Sequence, residues 1–325
     1  ETKNVGVELT VNTVNFSTKK FSWNTTLTLS HNKNSVKALT GEAVQLYEAR
    51  FGFNQNTHRI AVGEPLGQFY GYITEGLYQV DDFNYDASTQ TYTLKDGIPY
   101  HGDKGQIRPG MWKFKNLTGD DNVIDENDKT VIGNAQPKFY GGLNNSFTYK
   151  GFDLSIFLTF SYGNEVLNAT KLVTSKVGSL NYNALDVMNS SNRWMTINSD
   201  GQKVTDPGEL AALNAGKTVA AYHDAQQGDN YIHSWAVEDA SYLKLSNVTL
   251  GYTFPKNLIA RVGLKNLRLY ATGNNLLTWT KYSGFDPEVS TMKSGLTPGV
   301  DFGAYPLSRS FIFGLNLSLI HISEP

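Results

Sequence analysis

Apolar and polar residues alternate over ten or more positions at a time, and no other feature constrains this chain as tightly. From 152 to 162, Phe152, Leu154, Ile156, Leu158, Phe160 and Tyr162 share one face, while Asp153, Ser155, Phe157, Thr159 and Ser161 share the other. Phe21, Trp23, Thr25, Leu27 and Leu29 alternate with Ser22, Asn24, Thr26, Thr28 and Ser30. Near the end, Phe311, Phe313, Leu315, Leu317 and Leu319 alternate with Ser310, Ile312, Gly314, Asn316 and Ser318. A period of two over such a length means a β-strand with one apolar face. The runs exceed the roughly 5–6 residues of an average strand and reach the roughly 9–11 that cross a bilayer at a tilt. Their polar faces carry Asn, Ser, Thr and Gly rather than Lys and Glu, as suits a water-filled lumen behind a lipid-facing wall.

Seven such strands are expected, over 5–16, 21–33, 139–149, 152–162, 242–254, 266–277 and 308–319. Their connections differ sharply in length. Ser17-Thr18-Lys19-Lys20 and Lys150-Gly151 are short, and 255–265 is moderate, with a helical turn expected over Asn257-Leu258-Ile259-Ala260. Three others are very long, roughly 34–138, 163–240 and 278–307. The fold class predicted is therefore all-β: an antiparallel portion of a transmembrane β-barrel with short periplasmic turns and long extracellular loops. Tyr149 and Phe152 at one end of a hairpin, and Phe160 and Tyr162 at the other, fall at girdle positions. The alternative that pattern leaves open is a soluble β-sandwich, in function a glycan-binding module.

Composition narrows the function. The 325 residues carry 28 Lys+Arg against 30 Asp+Glu, a net charge of −2 without basic clusters, which argues against nucleic acid as a partner. The absence of cysteine excludes disulfide scaffolds, thiolate metal sites and a cysteine nucleophile. No apolar run approaches the ~18 residues of a membrane-spanning helix. The opening Glu1-Thr2-Lys3, without Met or an export signal, reads as a start in mid-protein or after processing, and the chain as a fragment. Catalytic patterns fail: Ala215-Gly216-Lys217-Thr218 lacks the first glycine of a phosphate loop, Ala211 standing in its place. Histidines 31, 58, 101, 223, 233 and 321 have no metal-ligand spacing, and the acidic pairs Asp81-Asp82 and Glu238-Asp239 lack the geometry of a glycosidase. No enzyme is expected. Aromatic residues in the long segments, among them Tyr70, Tyr72, Tyr78, Tyr92, Tyr100, Trp112, Trp194 and Trp235, are candidates for stacking on a ligand. Trp112, Trp194 and Trp235 are the ligand-binding candidates, against the alternative that such rings pack the loops onto one another.

Several stretches carry a resemblance. Glu238-Asp239-Ala240-Ser241-Tyr242-Leu243-Lys244-Leu245-Ser246-Asn247-Val248-Thr249-Leu250-Gly251-Tyr252 is followed by Asn266-Leu267-Arg268-Leu269-Tyr270, Gly273-Asn274-Asn275-Leu276-Leu277-Thr278, Asp286-Pro287-Glu288-Val289 and Tyr305-Pro306-Leu307-Ser308-Arg309-Ser310-Phe311. Upstream stand Val62-Gly63-Glu64-Pro65-Leu66-Gly67-Gln68-Phe69-Tyr70-Gly71-Tyr72 and Gly133-Asn134-Ala135-Gln136-Pro137-Lys138-Phe139. Together they resemble, in order and over nearly the whole chain, the SusC/RagA family of TonB-linked outer-membrane transporters. The resemblance implies a barrel of about 22 strands, of which residues 1–319 would be the carboxy-terminal part, without the plug domain. It also implies import of an oligosaccharide or peptide through the bacterial outer membrane. The implied partners are a SusD-like surface lipoprotein, the TonB complex acting through the amino-terminal region, and outer-membrane lipid. Residues 320–325 match nothing in the family and are expected to be a non-native tail. A calcium-type Asp-rich loop is common in the family near Gly119–Asp128, which makes Asp121, Asn122, Asp125 and Asp128 candidate Ca²⁺ ligands, with Asn122 where glycine is usual. Asn tolerates the left-handed conformation that such a position needs. The front of the loop departs from the pattern, since Leu117 and Gly119 fall where oxygen ligands belong. The alternative is a solvated loop of Asx turns.

Overall fold

The computed structural model describes residues 1–49, 55–119, 121–175, 183–221, 231–291 and 294–319; the expected tail, and the Asp120, His223 and His321 of the sequence reading, lie outside them. Seven long strands form one antiparallel sheet in chain order: β1 Thr2–Ser17, β2 Phe21–Val36, β3 Phe139–Tyr149, β4 Phe152–Tyr162, β5 Tyr242–Thr253, β6 Leu264–Thr280 and β7 Ser310–Leu319. An 11-residue strand such as β4 rises about 36 Å and, tilted by about 40°, covers about 28 Å of membrane normal, close to the height of an outer-membrane wall. The hairpin between β3 and β4 turns on two residues, Lys150 at φ 44° and Gly151 at φ 91°. That is the positive-φ turn whose twist matches paired strands. Lys256–Ile259 forms the expected helical turn. Antiparallel succession puts all three short connections at one end of the sheet and all three long ones at the other.

Register makes each face continuous. One row across all seven strands reads Phe16, Trp23, Phe147, Leu154, Leu250, Ala271 and Phe313. A row on the opposite face reads Asn12, Thr26, Asn144, Phe157, Asn247, Asn274 and Ser310. The polar face is knitted by side chains: Thr26 donates to Asn12 at 2.8 Å, Asn247 to Asn274 at 2.7 Å, and Asn274 to Ser310 at 3.0 Å. A soluble sandwich would bury the apolar face under a second sheet. Here Val7, Phe152, Leu250, Phe311 and Phe313 are exposed, and among the described residues no second sheet covers them. The wall thus has the faces of a barrel strip, and the sandwich alternative is set aside.

The long connections are not loose. Residues 44–48, 56–61, 68–71 and 130–134 form a four-stranded sheet, and Glu165–Asn168 pairs with both Val237–Asp239 and Val300–Asp301. Phe69, Leu167, Leu172, Ile232 and Val300 share one core cluster and come from all three long connections. A second cluster gathers Tyr72, Trp112, Phe114, Ile124, Trp194 and Leu210. The three loops therefore fold as one cap with its own apolar interior.

Candidate functional site

The site is the mouth, where this cap meets the polar face of the wall. Lys244 lies on that face of β5, opposite Thr159 and Thr278, and is almost fully buried. Its ammonium binds the carboxylate of Glu288 directly and stands 3.5 Å from Asp286. Tyr242, at the start of β5, donates its hydroxyl to Glu288 at 2.6 Å. Asp286-Pro287-Glu288 thereby anchors the last long loop to the wall. A cation on a strand and two carboxylates on a loop satisfy one another where water is largely excluded, the condition under which a buried charge is tolerated.

A second anchor ties that same loop to the 163–240 connection. Glu238 accepts hydrogen bonds from the Ser283 backbone N–H and hydroxyl, both at 2.9 Å, and from Lys171 at 3.0 Å. Burial alone would raise the Glu238 pKa, but these donors and the Lys171 charge together hold it below the usual carboxylate range. Lys171 also sits 4.0 Å above the Trp235 ring. Nearby, Tyr282 donates to Asp301 at 2.6 Å, and burial followed by that carboxylate pushes the Tyr282 pKa up.

The sequence-nominated aromatics fall into this cap. Trp194 and Trp112 are buried, with Trp112 packed against Trp235 at 4.9 Å between centroids and against His233 at 5.0 Å. Gly110, at φ 85°, makes room for Trp194: a Cβ there would lie 2.3 Å from its ring. Trp235 is only partly buried. Of the other nominated rings, Tyr78 is buried, whereas Tyr70 lines an open groove of about 760 Å³ with Tyr47, Arg59 and Glu42. Two histidines in the cap are buried. Burial holds His233 down to about 3, with Lys171 and His101 adding to it. Burial likewise lowers His58 to about 4, against a hydrogen bond to the Pro298 carbonyl.

Among the described residues, the carboxylates of the Asp-rich loop do not converge. Asp128 is fully buried and accepts from the N–H groups of Leu117, Thr118 and Asp125 and from the Thr118 hydroxyl. Burial would raise its pKa, but these donors outweigh that and lower it. Asp125 accepts from Asn127, and Asp121 from Val123. These are Asx-turn contacts. Among the described residues no three His, Asp or Glu side chains gather as a metal site. Asn122 does take the left-handed conformation, at φ 57°. The Lys244 clamp and the Glu238 anchor were not singled out from sequence. For the first, the sequence shows a lone lysine in the polar row of β5 and a distant Asp-Pro-Glu, with nothing in either segment to pair them.

No family profile matches the chain. Curated proteins do. The chain is 33% identical over 324 residues to TonB-dependent receptor P3 of Formosa agariphila, covering 98% of this chain and 29% of that protein. It is 29% identical to TonB-dependent receptor P39 of the same organism, over 97% of this chain and 30% of that one. It is 27% identical to TonB-dependent receptor SusC of Bacteroides thetaiotaomicron, over 97% of this chain and 26% of that receptor. The chain thus spans less than a third of the length of these relatives. Among solved structures it is similar to the RagAB peptide importer in its open-open state, with a TM-score of 0.67 and 20% identity over 98% of this chain and 29% of that one. The closed-closed state gives a TM-score of 0.65. The resemblance read in the sequence holds: over nearly its whole length the chain is similar to part of the SusC-type TonB-dependent receptors, and its seven strands have the fold of a stretch of such a transporter's barrel wall.

Proposed function

We propose that the chain is the carboxy-terminal barrel part of a TonB-dependent outer-membrane importer for a bulky nutrient, an oligosaccharide or a peptide. The observation that carries this reading is the register: a continuous apolar face across seven strands stands opposite a hydrogen-bonded polar face of mostly uncharged residues, in which Asp153 pairs with Arg268 and Lys244 with the last loop, and all long connections lie at one end. Lipid would meet the first face and the substrate pathway the second. The cap, tied down at Lys244 and Glu238, forms the outer mouth and presents the surface for a SusD-like lipoprotein. The TonB complex would act from the opposite side through the amino-terminal region. The work is transport and not bond chemistry, and no calcium step is assigned.

The test is fractionation of the producing bacterium followed by affinity purification of the full-length product in detergent. Expected are recovery with the outer membrane, migration on gels that changes on heating, and co-purification of a surface lipoprotein. Uptake of labelled oligosaccharide against labelled oligopeptide by a deletion strain separates the two substrates. Recovery as a detergent-free soluble protein would overturn the reading.

A further inference from the structure

The outward face of the wall is not uniform. At its long-loop end Phe139, Phe160, Tyr162 and Trp279 surround an open groove of about 540 Å³ that runs under Lys281 and Ser241. Register builds it: Phe139 stands opposite Tyr162, and Phe160, Leu243 and Trp279 follow one another across β4, β5 and β6. The Phe139 and Tyr162 rings stack at 4.9 Å, while the outer faces of Tyr162 and Trp279 stay half exposed.

We propose that this groove binds a lipid with an anionic phosphate head group, its acyl chain lying among the four rings and its phosphate at Lys281. Three observations carry the assignment. The groove continues the apolar face, so its lower part lies where acyl chains pack. It is ringed by aromatic side chains at the end of the strands, the level at which such rings meet head groups. Lys281 follows Thr280, the last residue of β6, on the long-loop side and lines the groove together with the rings, at the strand-end level where head groups lie. Among the described residues no ion pair within 4.0 Å includes it. The rim also holds Asp239, which feels the Lys281 charge, but its carboxylate is engaged by the Ser241 N–H and hydroxyl at 2.9 and 2.5 Å.

Location separates this groove from the other surfaces of the chain. Strands β4, β5 and β6 are flanked by β3 and β7 of the same sheet. Further strands of a larger barrel would add at the free edges of β1 and β7, and a plug would fill the polar side. Neither covers the groove. It is a mid-wall feature that faces the membrane in the assembled transporter.

The inference rests on the importer reading, and the experiment separates the two. Full-length transporter, delipidated in detergent, is titrated with palmitoyl-oleoyl phosphatidylglycerol or with the phosphatidylcholine of the same chains, and bound lipid is counted by native mass spectrometry. The expected result is one retained phosphatidylglycerol, preferred over phosphatidylcholine by about five-fold, the contribution of one lysine near a charged surface. Lys281→Gln should erase that preference, and Trp279→Ala should weaken both lipids; heat-modifiable migration checks that each variant is folded. A folded, membrane-inserted protein with no head-group preference, or one whose preference survives Lys281→Gln, refutes the groove and leaves the importer reading intact. High-yield disulfide dimers of Trp279→Cys would assign the groove to a second copy and also refute it. A full-length product soluble without detergent refutes both.

Discussion

Acid should loosen the cap, and the two buried histidines set the size of the effect. His233 is surrounded by the rings of Trp112, Phe114 and Trp235. Its Nδ1 shares a 2.8 Å hydrogen bond with the Thr74 hydroxyl, and its Nε2 is buried without a partner. The charges acting on it, Lys171 and His101, both disfavour a second proton. His58 lies against Phe69, between the Thr57 hydroxyl and the Pro298 carbonyl. Both pKa values are depressed in the folded state, to about 3 and about 4, from an ordinary 6.5. The opened state therefore binds more protons than the closed one at mildly acid pH. The stabilisation is complete above about pH 6.5 and is lost as pH falls towards the folded values. At pH 5 an exposed histidine is almost fully protonated, and each site then costs about 2 kcal/mol, roughly 30-fold in the opening equilibrium.

Hydrogen exchange read by mass spectrometry tests this in the full-length transporter, on peptides covering 56–61 and 231–237 at pH 7.5 and 5.0. After correction for intrinsic rates, each peptide should lose about 30-fold of its protection at pH 5. His233→Phe should remove the dependence at 231–237 and leave it at 56–61. Protection that is unchanged or greater at pH 5, or a dependence at 231–237 that survives His233→Phe, refutes the reasoning.

Three further outcomes are expected. Lys244→Met leaves Asp286 and Glu288 without their cation; because Glu288 keeps some solvent contact, the cost should be about 2–3 kcal/mol, below that of a fully buried pair, read as faster protease cleavage within 281–291. Gly110→Ala combines a left-handed backbone with overlap on the Trp194 ring, and should cost about 2–5 kcal/mol and red-shift tryptophan emission; a variant with wild-type emission and melting contradicts the packing described. The 325-residue chain alone should not insert as a heat-resistant, pore-forming species, because β1 and β7 would leave unpaired backbone groups in lipid; conductance from the isolated chain would refute this.

The wall was legible because period two over ten residues is a strong signal. All seven strands stand where alternation put them, within a few residues at each end. The cap was not legible, for physical reasons. Its strands are two to six residues long, and although some pair locally, as Phe83–Asp86 does with Thr91–Leu94, others pair across great sequence distances, as when Leu167 meets both Val237 and Val300. A four-residue segment such as Gln68–Gly71 carries no period. Local geometry was readable at Asn122 and at the Lys150-Gly151 turn, where one or two residues decide the backbone. The Lys244 clamp could not be read, since it depends on a loop returning over forty residues to a strand. The long-loop aromatics were visible as a class, but burial divided them: Trp112 and Trp194 pack the cap, whereas Tyr70 lines an open groove.

The central claim is that one face of the wall meets lipid and the other water. This stretch contains no cysteine, so single cysteines can be placed along β4 at positions 154 to 159 of the full-length transporter in outer-membrane vesicles. A charged, water-soluble maleimide should label Ser155→Cys and Thr159→Cys and spare Leu154→Cys, Ile156→Cys and Leu158→Cys, while a bilayer-soluble maleimide should show the opposite order. Equal labelling of both sets, or labelling without a period of two, would contradict the account.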